Sequence, residues 1–269
     1  MPHKPGNDPD SDWHVPEERR RRIADLLRAR GSVTIGMLEE EFAISPMTAR
    51  RDLAELERQG RARRTHGGAV LPELSRHEDS FDQRLERDAE AKQRLAAAAV
   101  DLMEPGQSVF LDSSTTAHFV ATEIAGRQLK ATVVTNSIPI LRVLSEERGH
   151  NVDVISSGGS LRRLTLSLVG PHAVRGIMQH FADKVFLSVK GITPGGHLTD
   201  PDVLEAEVKR AMITQAAEPV LLVDGSKFEH QGLCSIAHAS ELNVVLSEGA
   251  PEERLRLLEL SGVAVQRVG

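Results

Sequence analysis

Ser45-Pro46-Met47-Thr48-Ala49-Arg50-Arg51-Asp52-Leu53-Ala54-Glu55-Leu56 is the stretch that decides how this chain is read. Serine is a favoured N-cap, and proline at the first helical position gives up no hydrogen bond. The spacing predicts a helix from Pro46 to about Gln59, ended by Gly60. At 100° per residue Ala49, Leu53 and Leu56 share one face, whereas Met47, Arg51 and Arg58 point away from it with Thr48 and Arg50 on the flanks. Adjacent arginines one turn into a capped helix suit the N-terminal half of a recognition helix entering a DNA major groove. An arginine fork bonds guanine O6 and N7 together, and threonine or methionine can meet a thymine methyl. The competing reading makes Arg50 and Arg51 solvated charges paired with Glu55.

Working outward, Ile23, Ala24, Leu26 and Leu27 recur at helical spacing between Pro16 and Arg30, and Gly31 follows as a helix stop. Ser32-Val33-Thr34 is a short extended piece whose threonine caps a second helix carrying Met37, Leu38 and Phe42. Downstream, Arg61 to Val70 forms a basic ribbon with a Gly67-Gly68 turn, whose Arg61, Arg63, Arg64 and His66 suit phosphate contacts. Three helices and a basic hairpin predict a winged helix-turn-helix over 15–71. The polar, Pro/Asp-rich residues 1–14 read as a disordered tail.

Charge is divided along the chain. The whole carries −6, yet residues 14–76 hold 13 Lys/Arg against 10 Asp/Glu, and residues 77–269 carry −7. A basic end on an acidic body permits DNA binding at that end. Hydrophobic residues make up 40% and charged ones 27%, which excludes a disordered or fibrous chain. The absence of a long apolar run argues against a membrane span or signal peptide, so a cytoplasmic protein is expected. The single Cys234 and the scattered histidines form no metal-ligand spacing, and neither a metal nor a cofactor is expected.

Residues 72–88 read as a linker. From 89 to 269 ten-residue helical patterns alternate with short apolar runs such as Val109-Phe110-Leu111, Val185-Phe186-Leu187 and Val220-Leu221-Leu222-Val223. That alternation predicts an α/β domain with a mostly parallel sheet covered on both faces. Four small, polar clusters follow strands: Asp112-Ser113-Ser114-Thr115-Thr116, Thr135-Asn136-Ser137, Ser157-Gly158-Gly159-Ser160 and Asp224-Gly225-Ser226-Lys227. The first opens a helix, where backbone N–H groups and hydroxyls can face an anion. All four are expected to converge on one sheet edge, the usual ligand position in open α/β folds.

The run Arg19–Val70, with Ser45–Leu53 at its core and Arg64-Thr65-His66-Gly67-Gly68-Ala69 at its end, resembles the DNA-binding domain of the DeoR family of bacterial regulators. The rest of the chain resembles that family's sensor domain. It does so through Asp112–Thr116, Thr135–Ser137, Gly158-Gly159 with Gly170, Glu205–Met212 and Asp224–Phe228. The resemblance implies a sensor fold similar to ribose-5-phosphate isomerase and a phosphorylated sugar as effector. It places phosphate on Ser113–Thr116 and Asp112, Asn136, Lys190, Glu205 and Lys227 around the sugar. Departures are Ala49 where a β-branched residue is common, Ser114 for a frequent glycine, and Gly225 for a frequent serine.

The expected function is therefore a repressor of a carbohydrate operon, released from its operator by a sugar phosphate. Because one recognition helix reads only a few base pairs, a homodimer or homotetramer on two half-sites is expected. The alternative is a sugar-phosphate isomerase or hydrolase with a DNA-binding appendage, using Asp112, Asp200, Asp202, Glu205 and Asp224 with Lys190 and Lys227. No nucleophile elbow, P-loop or metal motif accompanies them.

Overall fold

The computed structural model describes residues 15–30, 32–59, 61–65, 67–70, 78–146, 149 and 151–269. The chain forms two compact units, Met1–Leu74 and Ser75–Gly269. The tail 1–14, the helix-ending Gly31 and Gly60, and the wing residue His66 lie outside the described residues.

In the first unit, α1 (Pro16–Arg30), β1 (Ser32–Thr34), α2 (Ile35–Phe42) and α3 (Pro46–Arg58) precede a hairpin of β2 (Arg63–Thr65) and β3 (Gly68–Val70). The caps read from sequence are in place: the Thr34 hydroxyl accepts from Met37 N at 3.1 Å and Ser45 Oγ from Thr48 N at 3.2 Å. Ile23, Leu27, Leu38, Phe42, Ala49, Leu53 and Leu56 close into one apolar core. The antiparallel sheet runs β1-β3-β2. At Gly68 a side chain would lie 1.9 Å from the Val33 carbonyl, so this pairing requires glycine. Asp52, on the inner face of α3, accepts from Arg19 Nε of α1 at 2.6 Å, both side chains being almost fully buried. The turn-by-turn reading of α3 does not reveal that pair, which fixes how α3 is rotated beside α1.

The second unit begins with α4 (Phe81–Glu86), α5 (Ala89–Asp101), β4 (Ser108–Leu111), α6 (Thr115–Gly126), β5 (Ala131–Thr135), α7 (Ile138–Ser145) and β6 (Val152–Ser156). A hairpin of β7 (Ser160–Arg162) and β8 (Ser167–Val169) follows, then α8 (Pro171–Met178), β9 (Ala182–Leu187), β10 (Gly191–Ile192), β11 (His197–Asp200) and α9 (Val203–Gln215). The chain closes with β12 (Ala216–Asp224), β13 (Cys234–His238), β14 (Val244–Glu248), α10 (Glu252–Leu260) and β15 (Ala264–Arg267). Seven strands form one sheet in the order β15-β14-β12-β9-β4-β5-β6, and every pairing within it is parallel. Strand residues such as Phe110, Leu111, Phe186, Leu221 and Leu222 are fully buried, because helices cover both faces and leave no polar side to alternate with. An antiparallel trio, β10-β11-β13, stands apart from the main sheet.

From β4 the chain winds outward through β5 and β6; from β9 it winds the other way through β12, β14 and β15. The order thus reverses between β4 and β9, where the helices on either side part and leave a crevice. Strands β7, β8, β10, β11, β13 and β15 were not legible in the sequence, since strands this short carry almost no periodicity, and helices α8 and α10 were not read from it either.

The reading of 72–88 as a linker is corrected for its second half. Residues 78–88 belong to the second unit: Ser80 and Gln83 form a capping box at the start of α4, and Phe81 is buried with its ring edge-on to His118 at 5.5 Å. One aromatic and a few polar bonds hold this segment, so it shows no apolar pattern. Residues 71–77 lie outside the described residues.

Removing Asp52 would take from the buried Arg19 guanidinium its carboxylate partner at 2.6 Å. Asp52→Ala should destabilise the first unit by about 3–5 kcal/mol. Arg58→Ala, which breaks only a solvated pair with Glu55, should leave unfolding nearly unchanged. Urea unfolding followed by circular dichroism checks both.

Candidate DNA-reading face and ligand cavity

The cap at Ser45 and the buried stripe of α3 leave Met47, Arg50 and Arg51 on the exposed face, Met47 at 67%. Thr48 sits half-buried, its hydroxyl 3.0 Å from Ser45 Oγ. Glu55 is engaged elsewhere: it accepts from Arg58 Nη2 at 2.6 Å and from Gln59 at 2.8 Å, bonds that hold its carboxyl down at about 2. Neither Arg50 nor Arg51 has an ion-pair partner among the described residues, which removes the observation that would have favoured mere surface pairing with Glu55. The Arg64 amide donates to Glu57 Oε1 at 2.9 Å, tying the wing to the end of α3. Arg64 is exposed, Arg61 half-buried, and Arg63 lies in β2.

In the second unit a cavity of about 90 Å³ opens at the carboxyl ends of the strands flanking the reversal. Ser113–Thr116 reach it from the β4–α6 turn, where Ser114 Oγ caps the helix by accepting from Ala117 N at 3.0 Å. Ser188, Val189 and Lys190 arrive from the end of β9, Asp200 from β11, Ser226 and Lys227 from beyond β12, and Glu205 and Lys209 from α9. The segment 78–88 and Lys92 of α5 complete the wall.

The floor is a buried polar network. Asp112, fully buried, accepts from Ser114 N at 3.0 Å, Ser188 N at 3.2 Å and Lys209 Nζ at 2.6 Å. Lys209 also donates to the Ser188 carbonyl at 2.7 Å and lies 3.6 Å from Asp200. Burial works against its ammonium, but Asp112 and Asp200 outweigh burial and lift its pKa above the ordinary lysine value. Burial pushes the Asp200 carboxyl up to about 6. Glu205 accepts from Ser113 at 2.8 Å, Thr165 at 2.8 Å and Ser167 at 2.5 Å.

Cations line the other side. Lys92 is pushed down to about 8 by burial and then by the nearby Lys227, and burial also lowers Lys190. Lys227 leans on Asp224 at 3.4 Å and Arg87 on Asp79 at 2.9 Å. Lys190 has no ion-pair partner among the described residues, and Arg84 Nε and Nη2 are buried without a hydrogen-bond partner. Buried donors of that kind are costly unless an acceptor arrives. Chemically, the cavity offers cations and a helix N-terminus to an anion, and hydroxyls and carboxylates to a polyhydroxylated body.

Of the residues expected around an effector, Ser113, Ser114, Thr115, Thr116, Lys190, Glu205 and Lys227 line this cavity. Asp112 does not; it lies beneath it as the acceptor that orients Lys209. Asn136 lies outside the cavity: its amide nitrogen donates to the Leu168 carbonyl at 3.1 Å, while its buried Oδ1 has no hydrogen-bond partner. Gly158 and Gly159 line a separate shallow concavity with His172 and Arg175. Their positive φ angles of 66° and 119° shape a turn in which a side chain at Gly159 would meet Ala173 and the Val169 carbonyl at 2.8 Å. The expected convergence of four loops is thus corrected. Clusters after β5 and β6 lie one and two strands beyond β4, about 5 and 10 Å further from the reversal than β4 itself. Sequence reasoning missed Arg84, Arg87, Lys92, Thr165, Ser188 and Lys209 as cavity residues. The i, i+4 spacing of Glu205 and Lys209 on one helix could have exposed Lys209; nothing in the pattern marks Arg84.

Residues 19–74 match the DeoR-like helix-turn-helix domain and residues 87–248 the DeoR C terminal sensor domain. The lactose phosphotransferase system repressor of Streptococcus mutans is 30% identical over 90% of this chain and 96% of its own. The L-fucose operon activator of Escherichia coli is 32% identical over 86% and 94%. Among solved structures, ribose 5-phosphate isomerase A of Methanocaldococcus jannaschii overlaps 52% of this chain and 55% of its own, with a TM-score of 0.39 and 16% identity. No helix among the described residues is long and apolar enough to cross a membrane. Matched in both units and by relatives along nearly its whole length, the chain belongs to the DeoR family of DNA-binding transcription regulators.

Proposed function

We propose that this protein represses a carbohydrate-metabolism operon and leaves its operator when a phosphorylated sugar occupies the cavity at the strand-order reversal. The observation that carries the reading is Arg84, which lines the cavity beside Lys92, Lys190 and Lys227 and whose Nε and Nη2 are buried without a hydrogen-bond partner. A phosphate supplies the missing acceptor and negative charge, and Ser113–Thr116 add donors at a helix N-terminus. The hydroxyls of Ser188 and Thr165 and the carboxylate of Asp200 suit sugar hydroxyls at the other end. Relatives of this chain are named for lactose and L-fucose systems, one as a repressor and one as an activator. A metabolite that releases a repressor from DNA induces the operon with no further component. The reading takes residues 15–71 as the DNA-binding domain and 78–269 as the sensor, assembled as a homodimer whose two recognition helices meet two half-sites. An enzymatic role is disfavoured because Asp112 and Glu205 are saturated by internal hydrogen bonds, which suits holding a floor rather than moving protons.

Three outcomes test it. On the operator, Arg51→Ala should cost about 1–3 kcal/mol and relax preference at one base pair. Arg64→Ala should instead weaken operator and random DNA alike and reduce the salt slope by about 1. Equal losses from Arg51→Ala on both DNAs would mean that α3 reads with another face. Second, in a melting screen of hexose and pentose phosphates, a true effector at 100 times its Kd should add about 2.7 kcal/mol of stability. It should shift operator affinity about 5- to 150-fold. Lys190→Ala should lose that response while binding operator normally; retention of the full response would move the site elsewhere. Third, effector affinity should be highest between about pH 6 and 8. Phosphate becomes a dianion above about 6, and Lys92 loses its charge as pH rises through about 8. Calorimetric titration across that range would expose a flat profile, which would exclude Lys92 from the anion's surroundings.

A further inference from the structure

We infer that residues 78–88 form a strap that closes on the cavity's anion and passes its occupancy to the DNA-binding unit, with the Arg162–Glu78 ion pair as its latch. The inference rests on the anion-sensing reading above and adds how that site is coupled. Along the chain the strap comes directly after the boundary between the two units, at Leu74 and Ser75. It is also a wall of the cavity, contributing Glu78, Asp79, Arg84, Arg87 and Asp88. The covalent path to the DNA-binding unit therefore starts from residues that would touch the effector.

The strap is held by few anchors, unlike the strands behind it. Phe81 is its one buried aromatic, and Phe81 N donates to the Leu164 carbonyl at 2.9 Å. At its downstream end Asp88 takes a left-handed backbone, φ 51°, without capping α5. A non-glycine residue held there is strained, as at a hinge. At the upstream end both arms of Arg162 grip Glu78, one at 2.9 Å. Between them the Lys92 ammonium donates to the carbonyls of Arg84 and Arg87. Two of its three N–H groups are thereby used on the strap, and the third is left for a ligand.

These contacts give an anion a definite mechanical effect. Lys190 and Lys227 approach it from the strand ends, Arg84 from the strap, and Lys92 touches both. An acceptor shared among them ties the strap to the sheet and gives Arg84 its missing partner. Arg162 does not line the cavity, but it donates to Thr165 at 3.0 Å and lies 3.9 Å from Glu205, both of which do. It is a positioning residue, setting the strap's upstream end according to the floor.

Hydrogen exchange on the full-length protein tests this, with inorganic phosphate as the anion probe and an operator duplex as the second ligand. Phosphate should raise the melting temperature and slow exchange across residues 81–89 by about tenfold, the scale of an ordinary coupling between sites. Operator DNA should move the same amides the opposite way, since linkage is reciprocal. Arg162→Gln should keep the phosphate-induced melting shift but lose most of both strap responses, and Arg162→Lys, which keeps the charge but not the two-armed grip, should restore them only in part. If Arg162→Gln folds poorly, the Lys variant against wild type carries the comparison through the operator arm. A melting shift with unchanged strap exchange would overturn the strap and leave the sensing reading intact. No melting shift with phosphate would overturn both.

Discussion

A lysine ammonium buried under the carboxyl ends of a parallel sheet has to be compensated, and the architecture of the second unit follows from how Lys209 is. Its ammonium lies 2.6 Å from Asp112 and 3.6 Å from Asp200 and donates to the Ser188 carbonyl, joining the ends of β4, β9 and β11 through one charge. Removing either partner would strand a charge in the interior, which costs far more than the intact pair contributes. The same carboxylate of Asp112 also takes the amides of Ser114 and Ser188. The donors above it are therefore aimed before any ligand arrives. Preorganisation of this kind lowers the entropy lost on binding.

The first unit repeats the principle on a smaller scale. A helix that reads DNA must hold its rotation to within a few degrees, and an apolar stripe of Ala49, Leu53 and Leu56 alone permits some rolling. The Arg19–Asp52 pair supplies direction, because a charge-assisted hydrogen bond has a preferred line of approach whereas hydrophobic contact does not. Asp52 is the immediate neighbour of Arg51, so the buried pair and the exposed arginine proposed to read DNA are set by the same turn of helix.

Charge is distributed unequally around the cavity. The carboxylates of the floor are satisfied from within the protein, whereas Arg84 on the strap is not. An internal network with a partner for every acceptor is rigid; a wall with an unpaired cation is waiting for one. In the proposed site that division puts the fixed part on the sheet and the responsive part on the segment 78–88.

Much of this protein is determined locally. The capped, striped α3 with its two outward arginines, the basic hairpin after it and the apolar strands of a two-sided sheet are written in nearest-neighbour patterns, and they suffice for the two domains and their order. The loop Ser113–Thr116 could be placed at a helix start for the same reason. Other features exist only in three dimensions. Strand order decides which loops meet, and nothing within β5 or β6 tells the chain that it lies outward of β4; hence Asn136, Gly158 and Gly159 fall away from the cavity. Arg19 finds Asp52, Lys209 finds Asp112, and Arg162 finds Glu78 across 33, 97 and 84 residues, separations that leave no periodicity to read. The strap shows the limit most plainly: held by one aromatic and a handful of polar bonds, it looks like connecting chain until folding sets Arg84 against the cavity.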